Sequence, residues 1–296
     1  VTLGACGKSL MSSTHLYQIF YSDQTRRKLD PDFIPLDNSS NPRPDWREYW
    51  PIRNFLLGNA LIEDDFYGFF SPKFKDKTGL TAAQVKAFIL EPGQQPDVVI
   101  FSPMWDMSGL FQNVFEQAEI SDPGMGIAMA AFFARIKPEF DLNEWVTDSR
   151  NTIFCNYFAA KPSFWRPWFK ICEELFDVAE RGEGELAQRL NALSNYGSDV
   201  RRKVFVMERI ATFLLTNENR WKAKASNPFR FCASPSATAW FHLEAVLSDA
   251  LKVAYTVQPL PEYRDAFAFL RRKIKEIIDA KHDAAQKSIF APGERS

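Results

Sequence analysis

The chain has 296 residues, 46% apolar and 25% charged, enough to bury about three quarters of its unfolded surface in one large core or two modest ones. That composition excludes a disordered or low-complexity chain, and 36 Lys and Arg against 37 Asp and Glu, net charge −1, leave no basic footprint for a nucleic-acid partner. No uncharged apolar run approaches the roughly 18 residues that span a bilayer, because the longest candidate, Ile127 to Ile136, contains Arg135.

Residues 1–13 read as a disordered leader carrying two decoys. Leu3-Gly4-Ala5-Cys6 has the form of a lipoprotein cleavage box but lacks the charged and apolar regions a signal requires. Gly7-Lys8-Ser9 lacks the glycine spacing and the preceding strand of a phosphate-binding loop. Leu16 to Tyr21 then reads as a buried strand, short, apolar and aromatic. Asp45 is placed to cap a helix through Trp46, Tyr49, Arg53 and Leu56, with Pro51 kinking it. Asp65 to Phe70 reads as a strand ending at Ser71-Pro72-Lys73, and Thr81 with Gln84 forms a capping box for the next helix. Val98 to Phe101 is a further strand stopping at Ser102-Pro103, with helices expected over 108–118 and 124–136. Asn151 to Ala160 reads as strand and 163–180 as an aromatic-rich helix broken at Gly182 and Gly184. Ser198 or Asp199 can cap the helix carrying Val204, Met207 and Leu215, and two more helices with a basic end follow Ser236.

Strands alternating with helices predict an α/β sheet covered on both faces. In such sheets ligands lie beyond the carboxyl ends of the strands, here Tyr21-Ser22, Ser71-Pro72-Lys73 and Ser102-Pro103-Met104. Each Ser-Pro step sets a hydroxyl and a rigid turn where a substrate would lie, and the two loops are expected to meet as the floor of one wet pocket. The main domain is expected over 14–225, with 226–296 a helical extension packed on it. Four Cys at 6, 155, 172 and 232 form no C-x-x-C pair, which suits a reducing, cytoplasmic setting. Three scattered His make a zinc site unexpected.

Two charged residues fall on apolar helix faces. Arg53 is surrounded by Tyr49, Trp50, Leu56 and Leu57, and Glu208 by Val204, Phe205, Ala211 and Thr212. Such a group is either paired, snorkels to water, or is used, since an uncompensated buried charge costs about 3–5 kcal/mol. Used, Arg53 meets a phosphate and Glu208 a sugar hydroxyl, with burial raising the Glu208 carboxyl toward proton transfer. Other chemistries lack their signatures: there is no Gly-x-Ser-x-Gly elbow, and Gly124-Met125-Gly126 follows no strand and eases a helix start. The acidic run Glu63-Asp64-Asp65 reads as a solvated turn, and Trp165 and Trp168 as core.

The order of motifs is LYQIFY, PDWREYWPIRNFL, DDFYGFFSPKF, DVVIFSP, NTIFCNYFAAKPSFWRPWFKICEELFDVAE and RKVFVMERIATFLL. Over residues 15–217 it resembles bacterial GT-A-type glycosyltransferase-like proteins of capsule, exopolysaccharide and lipopolysaccharide gene clusters. The pattern is matched by Glu48, Trp50, Arg53 and Asn54 on a helix, Tyr67 and Gly68 on a strand, Asn156 before the long helix, and Glu208 with Arg209 late in the chain. The resemblance implies a Rossmann-like mixed sheet and a nucleotide-sugar donor at the opening strand and following turns. The donor set becomes Tyr21, Ser22, Arg53, Asn54, Ser71, Lys73 and Ser102, with Asn156 and Arg209 bordering a glycan or lipid-linked acceptor. Asp106 or Glu208 would take the acceptor proton, and Lys73 with Arg53 would stabilise the leaving diphosphate.

One departure matters. Enzymes of this type often hold Mg²⁺ or Mn²⁺ through Asp-x-Asp at a central strand end, whereas here Asp30-Pro31-Asp32 falls in an early loop. Metal dependence stays open and no metal ligand is assigned. The basic stretch Arg271-Arg272-Lys273-Lys275, interleaved with apolar residues, is either a solvated helix face or a contact with anionic lipid. A non-catalytic glycan-binding or assembly protein is the competing reading, favoured if Lys73 and Arg53 are paired with structural carboxylates.

Overall fold

A computed structural model describes residues 12–197, 199–218 and 220–289, with side chains to residue 281. The leader segment 1–11 and the expected cap Ser198 lie outside the described residues. In chain order the elements are β1 (Thr14–Phe20), α1 (Asp23–Arg26), β2 (Ile34–Asp37), α2 (Tyr49–Gly58) and β3 (Phe66–Phe70). Next come α3 (Phe74–Thr78), α4 (Ala82–Ile89), β4 (Val98–Ile100), α5 (Trp105–Gly109), α6 (Val114–Ser121) and α7 (Met125–Ile136). The chain continues with β5 (Phe158–Ala160), α8 (Pro162–Arg181), α9 (Gly184–Asn191), α10 (Arg202–Asn217), β6 (Ala223–Ala225), α11 (His242–Val257) and α12 (Pro261–Ile289).

The strands form one sheet in the order β2-β1-β3-β5-β4-β6, parallel throughout except β5, which runs against both neighbours. Period-two alternation assigns each side chain to one of two cores. Tyr17, Ile19, Tyr67, Phe69, Val98, Ile100, Phe158 and Ala160 face the layer of α2, α7, α8 and α10. Leu16, Phe66, Phe70, Val99, Phe101, Tyr157 and Ala159 face α3 and α4. Burial on both faces explains the continuous apolar reading of β3, whose five residues are all buried. Gly68 gives that strand room, since a Cβ there would stand 3.2 Å from the Ala159 methyl.

Several local expectations change for identifiable reasons. Asp45 sits in a short 3-10 turn, Pro44–Trp46, and caps no helix; its carboxylate pairs with Arg43 and Lys203. Pro51 falls in the first turn of α2, where its missing N–H is not needed, and breaks nothing. The helix expected over 108–118 is divided into α5 and α6, the second capped by Asn113, whose side-chain oxygen accepts from Phe115 N and Glu116 N. Only Phe158–Ala160 of the segment 151–160 pairs as a strand, because Cys155 and Asn156 take left-handed φ of 60° and 53° and turn the chain. Asp65 is no solvated residue: it is buried, accepting from Ser13 N and meeting His15 Nε2 at 2.8 Å. Trp165 and Trp168 are core, as their spacing suggests.

Beyond β6 the chain is fastened by α11, which lies against α5. A Cβ at Gly109 would stand 2.7 Å from the Ala245 carbonyl oxygen, so the approach depends on glycine. The basic stretch on α12 is largely neutralised. Arg271 pairs with Glu116, Lys273 with Glu276 and Lys275 with Asp279. Among the described residues no helix is long and apolar enough to cross a membrane.

Candidate functional site

Connections leave β1 toward β2 and β3 toward the opposite half of the sheet, so the carboxyl ends of β1 and β3 border the crevice where open α/β sheets bind ligands. The two Ser-Pro turns do not form its floor. β5 stands between β3 and β4, and both hydroxyls turn inward onto the loop entering it. Ser71 Oγ lies 2.5 Å from the Tyr157 hydroxyl, and Ser102 Oγ accepts from Phe154 N at 2.9 Å. Both serines are buried, and each fastens the 154–157 loop in place.

That loop, rather than the serines, shapes a hollow at this edge. This shallow, partly open hollow, with free room of only about 10 Å³, is lined by Trp46, Arg47, Glu48 and Tyr49, by Cys155 and Asn156, and by Val204, Met207 and Glu208 of α10. Three of these, Arg47, Cys155 and Asn156, are non-glycine residues with left-handed backbone, a conformation that costs energy and concentrates at functional sites. Asn156 is 5% exposed, and its side-chain oxygen is buried without a hydrogen-bond partner. An orphaned acceptor beside an open hollow is an acceptor awaiting a donor.

Glu208 is one of two carboxylates lining the hollow. It is half-buried and, among the described residues, lies within ion-pair distance of no cation. Burial raises its carboxyl above the usual carboxylate range, the charge of Glu48 adds to this, and Arg209, Lys77 and the Cys155 N–H oppose it. Glu48 is likewise half-buried and without an ion-pair partner among the described residues. Tyr21 stands nearby at the end of β1. Its phenol is held protonated mainly by burial and then by the charge of Glu48. The segment carrying Arg47 and Glu48 is anchored from outside. Asp45 joins Arg43 and the buried Lys203, while Glu180 takes the Arg43 guanidinium and the Trp46 Nε1–H.

Three further residues read from the sequence as site groups, Arg53, Asp106 and Arg209, belong to the scaffold. Arg53 is not free for a phosphate, because Nε and Nη2 donate to the two oxygens of Glu173 at 2.7 and 2.8 Å, tying α2 to α8 with Tyr49. Asp106 is no general base. It is fully buried and accepts from Ser234 N, Ser234 Oγ, Ser236 Oγ and Thr238 Oγ1, fastening the segment before α11. Arg209 is buried and turned toward α6, donating to the Val114 and Phe205 carbonyls and to Gln117 Oε1. Burial lowers its guanidinium to about 10, with Glu208 acting in the opposite sense. Asn54 is exposed on α2. Ser22 caps α1, where it exchanges hydrogen bonds with Thr25, and Lys73 is exposed at the turn after β3.

Glu48 was matched to a pattern but given no role. Nothing in its own neighbours shows that Arg47 turns the backbone left-handed ahead of it.

Among the described residues, the Asp30-Pro31-Asp32 step does not offer a divalent cation, which the resemblance would bring, a convergent donor set. Asp30 is committed to Asp32 N and Ala82 N in the approach to β2, at the amino edge of the sheet. Among the described residues no three His, Cys, Asp or Glu converge in a way that could hold a metal ion.

No protein-family model matches the chain, and no curated protein matches it. Among solved structures, the apo form of the bifunctional glycosyltransferase WbbM superposes with a TM-score of 0.44 at 12% identity, over 73% of this chain. This chain spans 44% of that chain's length. A likeness at this level transfers neither a residue role nor an activity.

Proposed function

We propose that the protein is a glycosyltransferase that passes a sugar from a nucleotide-activated donor to a hydroxyl of a bacterial surface-polysaccharide acceptor, with the GT-A type of fold. One observation supports the reading: a half-buried carboxylate with no ion-pair partner among the described residues, Glu208, lines with Asn156 a small hollow at the carboxyl edge of the sheet. Glu208 and the Asn156 oxygen both offer acceptors, and Arg47 in the same lining offers donors, so a ligand rich in hydroxyls, as a sugar is, can meet them. In an inverting transfer the acceptor hydroxyl oxygen bonds to the anomeric carbon. The bond from that carbon to the diphosphate breaks with its electron pair leaving on the phosphate oxygen, and Glu208 takes the hydroxyl proton. A carboxyl raised by burial suits that role.

With free room of about 10 Å³ the hollow admits one water as it stands, so a reacting sugar would need its lining side chains to move apart. The nucleotide would extend along the exposed carboxyl edge past Tyr21, Ser22 and Lys73. Screening nucleotides, nucleotide-sugars and sugar phosphates by thermal shift, with and without Mn²⁺, tests the reading. A ligand at about 100 times its Kd adds roughly 2.7 kcal/mol, worth several degrees. No shift with any of them counts against a donor site.

The non-catalytic alternative gains from Arg53, whose pairing with Glu173 is the arrangement it requires. Lys73 does not share that arrangement, as no ion pair holds it among the described residues. A glycan-binding protein would hold sugars with Glu208→Gln as well as with the native residue, and would release no nucleotide.

A further inference from the structure

Arg47 lines the hollow beside Glu48, Asn156 and Glu208, on the segment between the turn at Pro44–Trp46 and α2. Neighbouring cations are spent on the scaffold: Arg43 pairs with Asp45 and Glu180, Lys203 with Asp45, and Arg53 with Glu173. The side chain of Arg47 is not. A guanidinium carries five N–H donors. Among the described residues none of those on Arg47 meets an acceptor, and no carboxylate stands within ion-pair distance. None of its nitrogens is buried without a partner either, so water serves them at the mouth of the hollow. A ligand can take the place of that water without the lining having to part.

The backbone holds this side chain in place under strain. Arg47 has φ 47° and ψ −131°, a region that glycine enters freely and a residue with a Cβ enters at a cost. The turn is fixed from outside, by Asp45 with Arg43 and Lys203 and by Glu180 with Arg43 and the Trp46 Nε1–H. Shape alone would be served better by glycine, so what the arginine adds is its guanidinium. The charge of Arg47 is felt at the Tyr21 phenol, where it opposes the upward push of burial and of Glu48. It therefore stands toward the carboxyl end of β1, the edge along which a nucleotide would extend.

We propose that Arg47 is the anion-binding residue of this site, its guanidinium donating two parallel N–H···O bonds to the donor's diphosphate at the mouth of the hollow. The proposal rests on the reading of the hollow as a sugar-transfer site. Glu48 and Glu208 repel the diphosphate from the hollow itself and leave it at the rim, while their own oxygens accept from sugar hydroxyls. As the bond to the anomeric carbon breaks, the electron pair passes to the phosphate oxygen beside Arg47, where a fixed cation stabilises it. Arg47 so fills the role expected of Arg53, whose guanidinium is held by Glu173.

Titration calorimetry of the full chain with a set of nucleoside diphosphates and with inorganic pyrophosphate, each with and without Mn²⁺, tests this. Wild type is expected to bind a nucleoside diphosphate and to bind pyrophosphate more weakly. Arg47→Gly should weaken both by about tenfold or more, and Arg47→Lys by less, because an ammonium keeps the charge and loses the fork. Lys86→Met, at an exposed cation of α4, should change either by less than about twofold. Glycine suits the backbone at position 47, so unliganded Arg47→Gly should melt no lower than wild type. Nucleoside diphosphate binding that Arg47→Gly leaves intact overturns the assignment of Arg47 and spares the transferase reading. Pyrophosphate binding lost in Arg47→Gly, with no affinity for any nucleoside diphosphate, upholds the anion site and counts against a nucleotide donor. If wild type binds neither, both fall. If Arg47→Gly melts well below wild type and Arg47→Lys binds no better than it, Arg47 is a structural residue and the proposal is wrong.

Discussion

Replacing Asp106 with alanine should loosen the attachment of α11 to the sheet domain without touching the chemistry. The carboxylate is 0% exposed and takes four donors: Ser234 N at 2.8 Å, Ser234 Oγ at 2.5 Å, Thr238 Oγ1 at 2.7 Å and Ser236 Oγ at 3.2 Å. Ser234 and Ser236 can still bond to each other, at 2.8 Å, so part of the hydroxyl loss is recovered. The Ser234 N–H cannot turn, and a stranded buried donor costs about 1–3 kcal/mol. Hydrogen bonds to a charged acceptor contribute about 1.5–3 kcal/mol each, so the variant should lose roughly 3–5 kcal/mol after hydroxyl repair. At about 2 °C per kcal/mol for a chain of this size, the midpoint falls by roughly 6–10 °C. Melting followed by circular dichroism gives that shift, and hydrogen exchange should show the amides of 232–240 opening first. Asp106→Asn, which keeps one acceptor oxygen, should lose less. A variant that melts within a degree of wild type yet has lost nucleotide turnover would refute the reasoning and return Asp106 to the chemistry.

Other outcomes follow from the same geometry. Arg53→Met or Glu173→Gln should cost about 1–2 kcal/mol, below the 3–5 of a fully buried pair because both side chains keep some exposure, and should leave ligand affinity unchanged by calorimetry. Asp45 is held down to about 2, chiefly by Arg43 and Lys203 acting against burial. Its stabilisation is therefore complete above the ordinary carboxylate range and is lost as pH falls through that range toward 2. Acid melts of Asp45→Asn should lack that part of the wild-type decline. Glu208 has the opposite sign: its raised carboxyl favours the fold below the usual 4.5, and that advantage fades as pH climbs through the raised value. Glu208→Gln should accordingly be more stable than wild type near neutrality and differ little from it at pH 4, read from paired melts.

The sheet was legible because its signals are local. LYQIFY and FYGFF are short apolar runs closed by turn residues, and Thr81 with Gln84 closes the capping box the spacing predicts. The 151–160 segment misleads because NTIFCNYFAA has strand composition throughout, and only tertiary fastening by Ser71 and Ser102 holds Cys155 and Asn156 left-handed. Site residues were harder for the same reason. A charge on an apolar helix face is either paired or used, and the partner of Arg53 is Glu173, 120 residues away. Glu208 has the same local pattern and, among the described residues, no such partner, so the two could not be told apart before the helices were packed. Asp106 shows the same limit, since its partners lie 128 to 132 residues further on.

The account stands on Glu208 taking a proton in sugar transfer, and release of nucleoside diphosphate from a panel of nucleotide-sugars, by wild type and by Glu208→Gln, addresses it most directly. Wild type should turn over at least one donor, and the variant should lose about 10²–10⁴ in kcat with KM little changed and a melting point equal or higher. Turnover by Glu208→Gln at the wild-type rate, or a loss that merely follows a lowered melting point, would contradict the account.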